Sequence, residues 1–508
     1  MTRQESESRV VPEGRVTPPP SLDIERRGGG KATPVSEQAQ QLLLPFVTAE
    51  SPSASGASRE VPKTKVIPEP STPATMERIA WLLRPAFANV AANKGAPGPD
   101  RRTIAFVREH EDRLLDELQT ELLNGTYRPG AIRRVWIPKA GGGQRGLGIP
   151  NVLDRVVQEA VRLELEKLYE PTFHASSHGF RPDRSCHTAI EEARVHLAEG
   201  YQWVVDIDLE SFFDRVCHQR LLARLSGRVK DRRVLVLIRR MLKAGIVMPD
   251  GVLVNTEEGV PQGGPLSPLL SNIVLDELDR ELEQRGHRFV RYADDCNIYV
   301  RTERAGQRVM AGLKRFIEKR LRLRVNETKS AVARPEERHF LGFRLCPQDA
   351  GGPVEVKLSK RSLQRAMDRI RELTPRNWGG SLEGCIDKVS AYLKGWFGFF
   401  GICREAEERS FGGLDAHIRR RLRAIQLKQW KRKRTIARKL IKLGVRPRTA
   451  WHRIYQGRQG WWRLSHNPAV HRGLRNAYFA ERGLVSLLGL LRAQPEPHRA
   501  PGQYLLWE

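Results

Sequence analysis

Residues 289–300 read FVRYADDCNIYV, an apolar and β-branched run that two adjacent aspartates, Asp294 and Asp295, interrupt. This pattern predicts a buried hairpin that carries both carboxylates at its tip. Two like charges about 4 Å apart repel each other by about 4 kcal/mol at an effective dielectric constant of about 20, unless cations neutralise them. An isolated aspartate pair is also typical of an ordinary turn or a helix N-cap, so the pair alone leaves its role open.

A second acid-tipped strand lies 86 residues earlier, where WVVDIDLESFF contains Asp206 and Asp208. Alternation along a strand predicts that both carboxylates share one face and that Val205 and Ile207 occupy the other. Hard divalent cations such as Mg²⁺ require oxygen ligands and tolerate clustered carboxylates. Two acid-tipped strands therefore favour a metal site over two unrelated turns.

Between these strands lies the stretch GVPQGGPLSPLLSNIVL, residues 259–275. Gly263 and Gly264 allow the backbone to approach a substrate closely, and Pro265 and Pro268 stiffen the entry to the next helix. Such a segment can hold a nucleotide or a template base, although an ordinary loop–helix junction has the same composition. The alternation of helices with mostly hairpin-linked strands predicts an α+β fold.

The overall charge indicates a polyanionic partner. The chain has 508 residues with 87 Lys and Arg against 59 Asp and Glu, which gives a formal net charge of +28. No apolar run approaches the roughly 18–20 residues that a membrane-spanning helix needs, so we expect no membrane partner. The six cysteines are scattered without a Cys-x-x-Cys pair, which favours reduced thiols in a cytosolic compartment.

The last third of the chain is basic. The 65 residues between Asp415 and Glu481 contain no acidic side chain, and residues 417–442, HIRRRLRAIQLKQWKRKRTIARKLIK, predict one basic amphipathic helix. Solvated faces usually mix both signs of charge, so we predict that this helix binds a phosphate backbone. The candidate nucleic-acid-binding residues are Arg419, Arg420, Arg421, Lys428, Lys431, Arg432, Lys433 and Arg434. The aromatic residues that could stack on bases or pack in a core are Trp430, Trp451, Tyr455, Trp461 and Trp462.

The order of motifs resembles a known family. DLESFFD, VPQGGPLSPLLSNIVLDELD, RYADD, LRVNETKS and FLGF are similar to the successive palm motifs of reverse transcriptases, in particular those encoded by bacterial group II introns. The finger motifs of that group resemble NKGAPGPD (93–100), IPKAGGGQRGLGIPNVLDRVVQ (137–158) and HGFRPDRSCHTAI (178–190), and SAYLKGWFGFFG (390–401) resembles its maturase region. The resemblance covers about residues 76–490. It implies a right-hand polymerase with fingers and palm, followed by an α-helical thumb or maturase domain.

The resemblance also implies a domain order. We expect a disordered Pro/Ser-rich extension in residues 1–75, the N-terminal motif of the fingers in 76–135, fingers and palm in 136–350, a helical thumb or maturase domain X in 351–440, and a basic nucleic-acid-binding region in 441–508. Many relatives append a zinc-associated HNH endonuclease. The stretch after Leu490, LRAQPEPHRAPGQYLLWE, has no cysteine and little length, which resembles the endonuclease-lacking, IIC-like subset.

For the metal site, the resemblance implies that Asp208 and Asp294 bridge two Mg²⁺ ions. Asp295 would lie beside them, and the backbone carbonyl of Leu209 would supply a further oxygen. All three aspartates are predicted catalytic residues, and Asp294 is the favoured direct ligand of the adjacent pair. Asp206 falls two residues too early for the motif, and we interpret it as structural.

For the nucleotide pocket, the resemblance implies that Phe213 packs where a ribose 2′-OH would lie, with ordinary core packing as the alternative. Gln262 and Gly263 would line the pocket. The finger residues Lys139 and Arg145 would grip the triphosphate. Lys329 would protonate the pyrophosphate, with a solvated surface charge as the alternative.

The function that follows is an RNA-directed DNA polymerase that also binds intron RNA to promote splicing and mobility. Its partners would be intron RNA, an RNA template with a DNA primer or target DNA, and dNTPs, in the bacterial cytoplasm and on the nucleoid when it acts on DNA. Two alternatives stay open. One is a domesticated reverse transcriptase in DNA repair or defence, which the N-terminal extension favours; the other is an RNA-binding splicing factor without polymerase activity, against which the intact aspartates argue.

Overall fold

The computed structural model describes residues 73–138, 142–348, 353–403, 408–456 and 460–494. In these ranges, helices combine with three small and mostly antiparallel sheets, which confirms the predicted α+β class. The expectation of disorder for residues 1–75 falls almost entirely outside the described residues. None of the helices in the described ranges is long and apolar enough to cross a bilayer.

Four short helices open the described chain. The predicted helix that begins at Met76 breaks at Leu82, because the ring of Pro85 would clash with the carbonyl of Trp81 in a continuous helix. The four helices are α1 (Met76–Trp81), α2 (Leu83–Ala92), α3 (Ile104–Glu109) and α4 (Glu111–Leu123).

The segments predicted to form fingers and palm follow. In chain order they are β1 (Ile132–Pro138), β2 (Gln144–Ile149), α5 (Val152–Tyr169), α6 (Cys186–Ala198), β3 (Trp203–Ile207), α7 (His218–Arg228), α8 (Arg232–Leu242), β4 (Ile246–Val247), β5 (Leu253–Val254), α9 (Ser267–Gln284), β6 (Arg288–Tyr292), β7 (Asp295–Val300), α10 (Glu303–Phe316) and β8 (Ala331–Ala333). The first sheet has the order β2-β1-β4-β5, in which β4 pairs with β1 in parallel and the other pairs are antiparallel.

The second sheet has the order β6-β7-β3-β8, and all of its pairs are antiparallel. Its strands β6 and β7 form the hairpin that the sequence predicts for residues 289–300. In the register, Ile207 lies opposite Cys296 and Tyr292 lies opposite Asp295. The end of β3 and the turn of the hairpin therefore meet at the same edge of the sheet.

Side chains of β3 alternate between two hydrophobic cores on opposite faces of this sheet. Val205 and Ile207 pack in a core that includes the N-terminal helices and α9. Val204 packs in a second core, which includes the C-terminal helices. The predicted faces are therefore correct, and Asp206 and Asp208 lie on the face of Val204.

A hairpin and a set of helices complete the described chain. These elements are β9 (Phe343–Pro347), β10 (Val354–Leu358), α11 (Lys360–Leu373), α12 (Leu382–Phe400), α13 (Glu408–Trp430), α14 (Lys433–Lys442), α15 (Pro447–Tyr455), α16 (Trp461–Leu464), α17 (Pro468–Gly473), α18 (Asn476–Ala480) and α19 (Leu487–Ala493). The prediction of one helix over residues 417–442 is wrong. Lys431 adopts a left-handed conformation with φ 58°, which ends α13 and turns the chain into α14.

Candidate active site

Four carboxylates gather where β3 ends and the β6–β7 hairpin turns. Ala293 and Asp294 form the two-residue turn of this hairpin, and Ala293 takes a left-handed conformation with φ 56°. One step beyond the pair of Ile207 with Cys296, the register brings Asp208 towards Asp295. We call the set Asp206, Asp208, Asp294 and Asp295 the acidic edge.

The electrostatics of the acidic edge show how closely its carboxylates interact. Burial and then the neighbouring charges of Asp294, Asp206 and Asp208 raise the pKa of Asp295 to about 7. Burial also raises the pKa of Asp294, where Asp208 adds to the effect and Arg145 opposes it. The Asp295 residue is exposed by its accessible surface, although enough protein surrounds its carboxylate to weaken the hydration of the charged form. A bound cation would relieve this repulsion.

Asp206 differs from the other three carboxylates because it forms an ion pair with an arginine. Arg338 donates hydrogen bonds to Asp206 Oδ2 from Nε at 2.9 Å and from Nη2 at 2.6 Å. The same Nη2 donates to the carbonyl of Lys329 at 2.5 Å. Burial still raises the pKa of Asp206, and Arg338 opposes that rise. A carboxylate held in this way has a structural role, in agreement with the interpretation from its spacing.

Asp208 leaves one oxygen available. Its backbone N–H donates to Ser330 Oγ at 3.0 Å, and its carbonyl accepts from Asn326 N at 2.8 Å, so the backbone here is fixed. The buried Oδ2 accepts no hydrogen bond within the described chain, although Lys329 Nζ lies 3.3 Å away as an ion-pair partner. An oxygen in this state, beside two carboxylates of raised pKa, fits a divalent cation.

The described ranges contain no group of three or more His, Cys, Asp or Glu side chains that could hold a metal ion between them. Mg²⁺ in nucleotide-processing sites usually takes only one or two carboxylates from the protein and completes its shell with water and substrate phosphates. The acidic edge has the ligands for such a partial site. Leu209, proposed from the motif as a carbonyl ligand, forms a bridge with Val325 directly after Asp208.

Arg291, which was not among the residues predicted from the sequence, holds the turn of the β6–β7 hairpin in place. Its guanidinium is fully buried and pairs with the equally buried Asp279, with Nε–Oδ1 at 2.7 Å and Nη2–Oδ2 at 2.6 Å. It also donates to Asn272 Oδ1 at 3.0 Å, to Ser177 Oγ at 2.7 Å and to the Ala293 carbonyl at 2.8 Å. An arginine inside an otherwise apolar strand was the available signal, because a buried charge requires a partner.

The predicted nucleotide loop packs on the finger hairpin. Gly148 N donates to the Gln262 carbonyl at 2.6 Å, and Gly263 adopts φ 116° beside the Gly148 carbonyl. A Cβ at position 263 would overlap that carbonyl oxygen, so both the conformation and the space require glycine. The loop is thereby held against β2, the strand that carries Arg145.

The remaining pocket candidates differ in what the structure shows. Phe213 is half-buried, packs edge-on against Phe212 with ring centroids 5.2 Å apart, and accepts a hydrogen bond from Val260 N at its carbonyl. Lys329 is exposed, and its Nζ lies 3.3 Å from Asp208 Oδ2. Lys139 lies outside the described residues.

Some cations of the predicted basic surface are used inside the protein. Arg421 donates to Thr374 Oγ1 at 2.5 Å, to the Thr374 carbonyl at 2.6 Å and to the Arg371 carbonyl at 3.2 Å. Lys428 Nζ donates to the Arg376 carbonyl at 2.9 Å. Arg421 therefore joins α13 to the end of α11, and its Nε and Nη2 are used inside the protein.

The other cations of this surface are half-buried or exposed. Arg420 stacks over the half-buried Trp462 with its guanidinium carbon 4.1 Å from the ring centroid, and Arg419 is half-buried. The break between α13 and α14 presents Lys431 and its neighbours to solvent. The side chains that are exposed there are Lys431, Arg432 and Arg434, none of which forms an ion pair within the described chain.

The aromatic residues that could stack on bases also differ in their exposure. Trp451 and Tyr455 lie on one face of α15 with exposed fractions of 37% and 50%, and their ring centroids are 5.7 Å apart. Ala450 and Ile454 are fully buried on the adjacent face. Lys433 Nζ lies 5.7 Å from the Tyr455 ring centroid. This pair is exposed enough to stack on bases, whereas Trp430, Trp461 and Trp462 are half-buried.

Two family models match the chain. One, described as "Reverse transcriptase (RNA-dependent DNA polymerase)", matches residues 137–345, which include the whole acidic edge. The other, described as "Group II intron, maturase-specific domain", matches residues 363–442, from α11 to the end of α14.

Two relatives, YkfC and LtrA, support the same assignment. Protein YkfC from Escherichia coli (strain K12) is 33% identical over 350 residues, which cover 61% of this chain and 89% of YkfC. The group II intron-encoded protein LtrA from Lactococcus lactis subsp. cremoris is 31% identical over 365 residues, which cover 57% of this chain and 60% of LtrA. Among solved structures, a telomerase from Candida albicans with a fragment of telomeric RNA matches at 13% identity and a TM-score of 0.37, with 70% and 69% of the two chains covered.

Proposed function

Because the chain belongs to the reverse transcriptases that carry a group II intron maturase domain, we propose that its acidic edge is the centre of RNA-directed DNA synthesis and that its helical region binds intron RNA for splicing and mobility. The observation that carries the proposal is the convergence of Asp208, whose buried Oδ2 accepts no hydrogen bond within the described chain, with Asp294 and Asp295, whose pKa values are raised. Two of the reported relatives are bacterial, and the proposed place of action is the cytoplasm, on the nucleoid when DNA is the target.

Reverse transcriptases use divalent metal ions, and we assign two Mg²⁺ ions to this site. Asp208 and Asp294 would hold both ions, with Asp295 beside them and the Leu209 carbonyl as a further oxygen ligand. When bound, the ions stabilise the charge that develops on the attacking 3′-oxygen and on the leaving pyrophosphate. The ion pair between Lys329 and Asp208 Oδ2 keeps a proton donor next to the place where that pyrophosphate forms.

The incoming dNTP would lie between the acidic edge and the finger hairpin. Gln262 and Gly263 form the floor, since their backbone is pinned to Gly148. Arg145 on β2 faces Asp294 closely enough to influence its pKa and is placed to bind the triphosphate, with Lys139 as the second proposed phosphate ligand. Phe213 fills the position that would exclude a ribose 2′-OH.

The nucleic-acid partners would contact the exposed side of the C-terminal helices. Lys431, Arg432 and Arg434 present charge without ion-pair partners in the described ranges, and Arg419, Arg420, Lys428 and Lys433 add to the field around them. The exposed pair of Trp451 and Tyr455 offers a stacking surface for unpaired bases. We propose intron RNA as the ligand of this side, and an RNA template paired with a DNA primer or target DNA as the ligand of the cleft.

Primer extension on an RNA template tests the proposal. The double variant Asp294→Ala/Asp295→Ala should lose at least about 1,000-fold in rate, because it removes groups that hold the catalytic cations. Its affinity for structured intron RNA should stay within a few-fold of that of the wild type, since the basic surface is unchanged.

A matched control is the adjacent acidic pair on α4, replaced as Glu111→Ala/Asp112→Ala, which should retain full extension. Undiminished extension by the Asp294/Asp295 variant would refute the metal site and favour a splicing factor without polymerase activity. Sequencing the RNA that copurifies with the protein separates the two other possibilities: a structured intron supports the maturase role, and its absence supports a domesticated polymerase.

A further inference from the structure

The largest fully buried side chain in the described ranges belongs to Arg291, three residues before Asp294. A guanidinium has five N–H donors, and all five of this one are used, on Asp279 twice and once each on Asn272, Ser177 and the Ala293 carbonyl. The acceptors come from three separate segments of the chain. A buried arginine with every donor satisfied is fixed in position as firmly as the elements around it.

We propose that Arg291 is a positioning residue for the polymerase reaction, which sets the place of the Asp294 carboxylate by holding the carbonyl of the preceding residue. This inference rests on the proposed function of the acidic edge. Ala293 occupies a left-handed conformation that alanine does not favour, so the turn needs an external contact to keep it there. The hydrogen bond from Arg291 Nη1 to the Ala293 carbonyl, 2.8 Å long, is that contact.

The anchor connects the turn to the helix that follows the nucleotide loop. Asp279 and Asn272 both belong to α9, which begins at Ser267 just after Gly263. Asn272 also donates to the Gly179 carbonyl at 2.8 Å, and a side chain at position 179 would collide with the backbone of the turn. Arg291 thus ties the metal-holding turn and the nucleotide loop to one rigid helix.

The shape of the guanidinium is essential to this role. Its planar fork reaches Asp279 on one side and the Ala293 carbonyl on the other, whereas an ammonium group is a single point and cannot bridge both. Charge alone would satisfy Asp279 without holding the turn. The Arg291→Lys variant therefore separates the two contributions.

The decisive variant is Arg291→Met/Asp279→Leu. Replacing a buried ion pair with apolar groups of similar volume is often neutral for stability, but here Asn272, Ser177 and the Ala293 carbonyl also lose their donor, so we expect a folded protein with a lower melting temperature. We expect the affinity for Mn²⁺ to fall by about 10-fold or more, measured by electron paramagnetic resonance on protein bound to a dideoxy-terminated primer on an RNA template. The Mg²⁺ concentration for half-maximal extension should rise by the same factor.

A matched control is an arginine whose acidic partners lie on the same helix, α9. Arg224 on α7 pairs with Asp276 at 3.1 Å and with Glu277 at 2.9 Å, both on α9, but within the described residues it forms no hydrogen bond or ion pair with the β6–β7 hairpin. Arg224→Met should reduce the melting temperature without changing the Mn²⁺ affinity. If both arginine variants change the Mn²⁺ affinity equally, the anchor acts only through general stability and the inference is wrong.

Should the double variant fail to fold, Arg291→Lys decides the matter, since it keeps the charge opposite Asp279. A loss of Mn²⁺ affinity in Arg291→Lys supports the anchor, and wild-type Mn²⁺ affinity in a folded variant overturns it. The Asp294→Ala/Asp295→Ala variant separates this failure from that of the proposed function. If it retains extension, the site itself is wrong; if it is inactive while Arg291 variants bind Mn²⁺ normally, only the positioning role is wrong.

Discussion

The acidic edge and the helices α13 and α14 use charge in opposite ways. At the acidic edge, a few carboxylates are pressed together by the register of two strands, and burial raises the pKa of Asp206, Asp294 and Asp295. In residues 419–442, twelve Lys and Arg are spread along two helices with no acid among them. Each carboxylate of the acidic edge is held in a defined position by the backbone. The exposed cations of α13 and α14, by contrast, all contribute to one positively charged surface.

The difference teaches where substitutions should matter. A site that brings like charges together depends on the backbone that fixes them, because small displacements change every interaction in the cluster. A surface that binds a polyanion depends on the sum of its charges, and each contact contributes a similar, salt-sensitive share. Replacements near the cleft should therefore have large local effects, and replacements on the helices should have small additive ones.

The largest effect of a single residue is expected at Gly263. Alanine there would meet the Gly148 carbonyl in a conformation, φ 116°, that L-residues rarely adopt. The combined strain of about 3 kcal/mol would displace the nucleotide loop and lower kcat/KM for dNTP incorporation by about 100-fold. Steady-state primer extension with varied dNTP concentration measures the change.

The matched control for Gly263→Ala is Gly227→Ala in α7, where nothing lies near the added Cβ. Alanine favours a helix over glycine by about 1 kcal/mol, so this variant should keep full activity. Equal losses in the two glycine variants would break the comparison, because they would show that the cleft is no more sensitive than an ordinary helix.

A smaller effect is expected on the basic side. The double variant Arg432→Gln/Arg434→Gln removes two exposed cations, which should weaken RNA binding several-fold at about 0.1 M salt and reduce the slope of log affinity against log salt by about 1.4. Filter binding across a salt series gives both quantities. Primer extension at saturating template should be unchanged.

Two exposed arginines elsewhere serve as the charge-matched control for this experiment. Arg84 pairs with Asp112 and Arg113 pairs with Glu117, so Arg84→Gln/Arg113→Gln also removes two positive charges. If this control lowers the salt slope by the same amount, net charge and not the surface of α14 controls binding.

The smallest effect concerns pH. Burial and its acidic neighbours raise the pKa of Asp295 from 3.8 to about 7 in the folded protein, so between these values the folded state holds a proton that the unfolded state releases. Stability therefore falls as pH rises through this window. Without divalent cations, the melting temperature of the wild type should drop by about 2 °C between pH 5 and pH 8.

Asp295→Asn cannot release that proton, so its melting temperature should be flatter over the same range. Added Mg²⁺ should flatten the wild-type curve as well, since a bound cation replaces the proton. A wild-type melting temperature that rises from pH 5 to pH 8 without metal would contradict the raised pKa of Asp295.

Much of the palm was predictable because its signals are local. The strand period of WVVDIDLESFF assigns Asp208 to its face, and the hairpin of residues 289–300 follows from two apolar runs around a short turn. The helix after the proline-rich loop was predictable for the same reason. In each case, residues within a few positions determine the conformation.

The parts that were not predictable depend on distant partners. Arg291 is satisfied by Ser177, Asn272 and Asp279, whose nearness exists only in the folded chain. The basic run predicts Arg421 as a phosphate ligand, yet its Nε and Nη2 donate to Thr374 and Arg371 at the end of α11. The left-handed Lys431 has no marker such as glycine, so the break between α13 and α14 is invisible in the sequence.

The second hydrophobic core is shared by the two regions that the family models match. It joins Val204 and Tyr299 of the palm sheet to Phe343 of β9 and to Ile386 and Phe411 of the C-terminal helices. A protease cleavage between the two matched regions would therefore not release two independent bodies, because each half would expose the apolar surface that the other covers. The two matched regions should accordingly unfold in one cooperative transition. A destabilising mutation in either region should therefore lower both activities.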